Sequence, residues 1–181
     1  MEKRTNTDPA AISPEVEKHA RHVIEIVPAH DDPQDFVGLV REYTEQARRD
    51  GVDAEELFAS QDLDAELSDV GRKYGMPYGR MYVAIEDGHP AGCAALTKND
   101  DEHCEVKRLY VRPEYRGQGV SRALLDRACE DARDIGYKHM RLDTLPSMKS
   151  AVRLYERYGF HEIGNYNGNP VKSAIFLEKD L

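Results

Sequence analysis

Val106-Lys107-Arg108-Leu109-Tyr110-Val111, followed closely by Arg116-Gly117-Gln118-Gly119-Val120-Ser121, is the stretch on which the fold turns. The first run is strand-like. The second opens an amphipathic helix with apolar residues at Val120, Ala123, Leu124, Ala128 and Ile135. A strand, a glycine loop and a helix start aim free backbone N–H groups at one point. The first helical turn has unsatisfied donors and the positive end of the dipole, so this arrangement holds phosphate. Gly117 and Gly119 let the backbone come close, and the N–H groups of Gln118, Gly119, Val120 and Ser121 can point at a pyrophosphate. Arg116 and Arg122 can add charge-assisted contacts; Arg122 is equally well read as a solvated helix residue. A Walker loop needs Gly-Lys-Ser/Thr, which is absent, and a dinucleotide fingerprint needs a third glycine where Arg122 stands.

Length and charge narrow what can bind there. A chain of 181 residues makes one domain. Residues 1–20, polar with Pro9 and Pro14, read as an extension, leaving 21–181 as the domain. Cys93, Cys104 and Cys129 have no metal or disulfide spacing and read as small buried residues of a reducing compartment. The net charge of −9 argues against nucleic acid. It is uneven: residues 1–104 carry 11 Lys and Arg against 23 Asp and Glu, and residues 105–181 carry 14 against 11. The glycine loop thus lies in the half that tolerates a polyanion. No apolar run approaches the ~20 residues of a membrane span, and the N-terminus lacks a signal-peptide core. The expected location is the cytoplasm.

The remaining chain reads as mixed α/β. His22–Val27 is a strand, and Asp32-Pro33 starts a helix that runs through Tyr43 toward Gly51. Leu63, Leu67 and Val70 predict a second helix over Leu63–Tyr74. Met81–Ile85 and Ala91–Leu96 form a hairpin about Asp87-Gly88, and His103–Val111 follows. After the glycine-loop helix, which ends near Gly136, come a strand over Lys138–Leu145 and a helix over Met148–Tyr158. Gly159 closes that helix, and strands Phe160–Ile163 and Ser173–Leu177 end the chain. A Rossmann domain would instead alternate strand and helix from the start.

Two motifs in this order resemble the GCN5-related N-acetyltransferases (GNAT). Arg116-x-x-Gly119-x-Ser121 is similar to their acetyl-CoA signature Arg/Gln-x-x-Gly-x-Gly/Ala. Ala151-x-x-Leu154-Tyr155-x-x-x-Gly159-Phe160 is similar to a second family pattern, at the family's spacing. The resemblance is close from Glu105 to Phe160, and the element order from His22 agrees. It implies a bent mixed sheet of about seven strands flanked by about four helices, with cofactor where the central strands splay. It also implies acetyl-CoA as co-substrate, no metal, and a primary amine of a small molecule or peptide as acceptor. A homodimer is compatible with it. The chain departs from the pattern at Ser121, still small, and at Met148, where many members carry an asparagine that contacts pantetheine.

The resemblance assigns further roles. Leu109, Tyr110 and Val111 would lie along the pantetheine and pair with it as a strand does. The N–H of Leu109 or Val111 would polarise the thioester carbonyl. An alkylamine has a pKa of about 10.4, so attack needs a base. Glu105 matches the glutamate base of histone-type members, and strand periodicity puts it on the face of Val111; it can also be read as an exposed strand residue. His103 and His139 are weaker base candidates. Tyr155 matches the general-acid tyrosine that protonates the leaving thiolate, though its helix face would suit a core aromatic too. Phe36–Tyr43, Tyr74–Tyr82 and Tyr166–Asn169 would build the acceptor side, with Tyr74, Tyr78 and Tyr82 either lining a pocket or packing a loop. A non-catalytic CoA-binding module and a purely structural interaction protein are the rival readings.

Overall fold

A computed structural model describes residues 23–49 and 63–181. The polar extension, His22 and the Gly51 end of the first helix lie outside the described residues. The elements are β1 (Ile24–Pro28), α1 (Gln34–Arg49), α2 (Leu63–Ser68), α3 (Val70–Tyr74), β2 (Arg80–Glu86), β3 (His89–Lys98), β4 (His103–Val111), α4 (Val120–Ile135), β5 (His139–Thr144), α5 (Lys149–Arg157), β6 (His161–Ile163) and β7 (Ile175–Asp180). The seven strands form one sheet in the order β1-β2-β3-β4-β5-β7-β6. Every neighbouring pair is antiparallel except β4 and β5.

The predicted helix over Leu63–Tyr74 is two helices. Asp69 leaves helical geometry (φ −147°, ψ 71°), and its side chain accepts a hydrogen bond from the Arg72 N–H at 3.2 Å. A new N-cap thus interrupts an apolar spacing that would otherwise continue. The Asp87-Gly88 hairpin forms as predicted, with φ of 51° and 80° at its centre.

Helices cover both faces of the sheet, giving two cores. On one face α4 buries Leu124, Leu125, Ala128 and Ala132 against Val106, Met140 and Leu142. On the other, α1 to α3 bury Phe36, Leu39, Val40 and Tyr74 against Met81, Val83 and Cys93. All three cysteines are buried and unpaired.

Two irregularities in β4 create the site. Its pairing with β3 runs Leu96↔Val106 and Ala95↔Lys107, then jumps to Cys93↔Tyr110. Two β4 residues, Arg108 and Leu109, therefore oppose Ala94 alone, and Arg108 takes φ +57°. This is a β-bulge, which reverses the facing of everything beyond it. Val106 packs under α4, whereas Tyr110, four residues on, packs under α1. Gly92 permits the bulge, since a Cβ there would lie 2.5 Å from the Tyr110 carbonyl oxygen. The second irregularity is a parting of strands. Only His103, Cys104 and Glu105 pair with β5, opposite His139, Met140 and Arg141. Beyond them β4 runs on to Val111 and β5 to Thr144 without pairing each other.

Candidate active site

The parting strands open a cleft of about 1190 Å³. Val106–Val111 form one wall. Asp143 and Thr144 of β5, with Met148, Ala151, Leu154 and Tyr155, form the other. The N-terminus of α4 closes one end, and Tyr43 and Gln46 of α1 border the cleft.

At the α4 end, Gly117 (φ +78°) and Gly119 (φ +94°) both adopt left-handed backbone that favours glycine. Gly119 is the N-cap, and no side chain caps the helix. The N–H groups of Val120, Ser121 and Arg122 precede the first intrahelical bond, from Ala123 N–H to the Gly119 carbonyl at 3.0 Å. No acidic residue occupies this turn. The dipole end is thus uncompensated and faces the cleft.

Arg116, Gly117, Gly119, Val120, Ser121 and Arg122 all line the cleft, as do Leu109, Tyr110 and Val111. Gln118 does not; its side-chain amide donates to the Glu114 carbonyl at 2.8 Å and holds the loop from outside. Arg116 is a strut, donating to the Val111 carbonyl at 3.0 Å and to Gln46 Oε1 at 3.1 Å. Arg122 is mostly exposed and lies 3.7 Å from Asp126. Lys149 and Arg157 of α5 line the cleft as well. The sequence reading missed them, although their eight-residue spacing on one helix puts them on a common face.

Tyr155 lies deep in the cleft wall, only 7% exposed, with its ring edge-on to Phe160. Its hydroxyl makes no hydrogen bond with any described residue. Burial, then the nearby Tyr43 and Asp143, push its pKa well above the phenolic value, so it remains a proton donor.

Glu105 is placed differently from the expectation. The bulge puts it on the face opposite Val111, since Cys104 and Val106 flank it in the α4 core. It is buried and does not line the cleft; Lys107, 2.6 Å from its Oε1, does. Asn99 Nδ2 donates to its other oxygen at 3.1 Å. His103 and His139 stack at 4.9 Å at the closed end of the β4–β5 pair, with Nδ1 atoms against Asp100 (2.7 Å) and Asp180 (2.9 Å). Neither lines the cleft.

The tyrosines expected around one acceptor loop serve separate neighbours. Tyr74 donates to buried Glu66 at 2.7 Å, Tyr82 to Asp131 at 2.7 Å, and Tyr78 is exposed beneath the Lys98 ammonium. Phe36 is fully buried in the core. Tyr43, Lys107, Arg108, Asp143, Thr144 and Met148 line the cleft. Tyr43 stacks on Tyr110 at 5.5 Å, and burial lifts its pKa to about 12. Arg108 is held from behind by both oxygens of Glu66, at 2.8 and 2.9 Å, and Lys73 pairs with the same carboxylate. Among the described residues no cluster of three or more His, Cys, Asp or Glu could hold a metal.

Residues 40–160 match the model of the acetyltransferase (GNAT) family. An uncharacterised N-acetyltransferase of Schizosaccharomyces pombe is 36% identical over 160 residues, covering 87% of this chain and 94% of that one. An acetyltransferase from Streptococcus agalactiae superposes with a TM-score of 0.70 at 24% identity, over 87% of this chain and 98% of its own. The PaiA N-acetyltransferase of Thermoplasma acidophilum, solved in complex with coenzyme A, superposes at 0.69 and 21% identity, over 88% and 99%. These two structures share the fold.

Proposed function

The chain belongs to the GNAT acetyltransferase family and is an acyltransferase, and on that premise we propose that it transfers acetyl from acetyl-CoA to a primary amine of a small molecule or peptide. The observation that carries the reading is the start of α4, where two left-handed glycines and an uncapped helix N-terminus face a cleft lined by Arg116, Arg122, Lys149 and Arg157. That set fits a pyrophosphate carrier. The unpaired edge of β4 from Val106 to Val111 fits an extended amide-bearing arm.

The chemistry follows from placement. The acceptor nitrogen attacks the thioester carbonyl carbon, and a C–N bond forms as C–S breaks. A backbone N–H of Leu109 or Val111 donates to the developing oxyanion. An acceptor that arrives as an ammonium first gives one proton to solvent, and the proton that nitrogen sheds after attack leaves toward Glu105, which takes it through water because Lys107, which lines the cleft, is paired with that carboxylate. Tyr155 gives its proton to the departing thiolate and regains one from solvent. The test is titration calorimetry with acetyl-CoA, followed by free-thiol release across an amine panel. Saturable binding and acceptor-dependent thiol release are expected. Binding without release on any amine would make the protein a carrier-binding module instead, and no binding would overturn the reading.

A further inference from the structure

In the cleft, Lys107 and Asp143 carry opposite charges that are not closely paired. The Lys107 ammonium is 2.6 Å from Glu105 but 3.9 Å from Asp143 Oδ1, beyond hydrogen-bond distance. An ammonium has three donors, so capacity remains on its cleft side. The other oxygen of Asp143, Oδ2, accepts from Asn167 Nδ2 at 3.1 Å and Asn169 Nδ2 at 2.9 Å. These two amides fix the carboxylate without neutralising it. Oδ1 accepts no hydrogen bond from any described residue. Both side chains line the cleft, and both are nearly buried, 12% and 8% exposed.

Two largely desolvated groups of opposite sign, each with spare bonding capacity, are complementary to a ligand that carries both charges. We infer that the acceptor is an α-amino carboxylate whose ammonium binds Asp143 Oδ1 and whose carboxylate binds Lys107 Nζ. In such a molecule the nitrogen and the carboxyl carbon are two bonds apart, about 2.5 Å, so both charges reach adjacent partners. An amine without a carboxylate would leave the cleft-side donors of Lys107 without an acceptor. A diacid without an amine would meet Asp143. Glu105 meets one donor of Lys107, and Glu66 engages Arg108 and Lys73, so the remaining donors of Lys107 and Asp143 Oδ1 are the groups left open. Tyr155 lines the same cleft as Asp143. Asp143 and Lys107 are thus specificity-determining residues. The inference rests on the transfer reaction proposed above.

The test compares matched pairs at saturating acetyl-CoA: leucine against 3-methylbutylamine, and phenylalanine against 2-phenylethylamine. The expected result is a kcat/KM about tenfold or more higher for the amino acid in each pair. In Lys107→Gln that ratio should fall to within about threefold, and in Asp143→Asn the KM for both members should rise about tenfold or more. Each ratio is taken on one preparation, so a loss of folded protein cancels, and the wild-type pairs stand even if a variant does not fold. Equal or better turnover of the decarboxylated amine overturns the inference alone, as does a ratio that survives Lys107→Gln. Absence of transfer to all four compounds while another amine of the panel releases thiol overturns the inference alone, and absence across the whole panel, with acetyl-CoA bound, overturns the reaction beneath it.

Discussion

Glu66→Gln puts a number on the support beneath the bulge. Glu66 is 7% exposed and Arg108 is 7% exposed. The carboxylate accepts from Arg108 through both oxygens and from Tyr74, and pairs with Lys73. Burial alone would raise its pKa, but the Arg108 bonds and charge, helped by Lys73 and Tyr74, hold it at about 2 against an ordinary 4.5. A depressed folded-state pKa contributes stability that is complete above the unfolded value and fades as pH falls from about 4.5 through about 2. At about 1.4 kcal/mol per unit the shift corresponds to about 3 kcal/mol at neutral pH. An independent route agrees, since removing one partner of a buried ion pair costs about 3–5 kcal/mol. Glutamine keeps the shape, so no cavity term enters. Urea unfolding at pH 7 should show a loss of about 3 kcal/mol, and Tm should fall by about 6–12 °C for a chain of this size. The gap between the two proteins should narrow on acidification. A loss under about 1 kcal/mol, the scale of an exposed pair, would refute the argument. So would a gap that widens as pH falls.

Three further outcomes follow from single contacts. Tyr155→Phe should lower kcat about 100-fold and leave the acetyl-CoA Kd within about twofold; an unchanged rate in a thiol-release assay would reduce Tyr155 to packing. Gly119→Ala has room, with only Ile24 Cδ1 at 4.0 Å, but must hold φ +94°. A free loop that relaxes that strain, about 1–2 kcal/mol, must regain it on binding, so calorimetry should show roughly tenfold weaker acetyl-CoA binding, and unaltered affinity would contradict the loop's role. Gly92→Ala drives a Cβ to 2.5 Å from the Tyr110 carbonyl oxygen. Urea unfolding should register a loss of about 1–3 kcal/mol from that overlap; a neutral result would mean that the bulge relaxes freely.

What could be read from the sequence was what local chemistry determines. The glycine loop, the Asp87-Gly88 hairpin and the αL glycines at 136 and 159 declare themselves through residue type, and the structure has each in place. The bulge does not declare itself. Arg108 takes a left-handed conformation that glycine or asparagine would have signalled, and what holds its side chain is Glu66, 42 residues away. Period-two reasoning therefore put Glu105 on the face of Val111, and a one-residue slip removed it. The break at Asp69 was hidden inside a persuasive apolar spacing. Asp143 gains its role from Asn167 and Asn169, in a loop whose position no local pattern encodes.

A crystal structure with bound acetyl-CoA tests the central claim most directly. The account predicts pyrophosphate oxygens within hydrogen-bond distance of the Val120, Ser121 and Arg122 N–H groups, and the thioester sulfur beside the Tyr155 hydroxyl. Phosphates seated away from the start of α4, or a sulfur out of reach of that phenol, would contradict it.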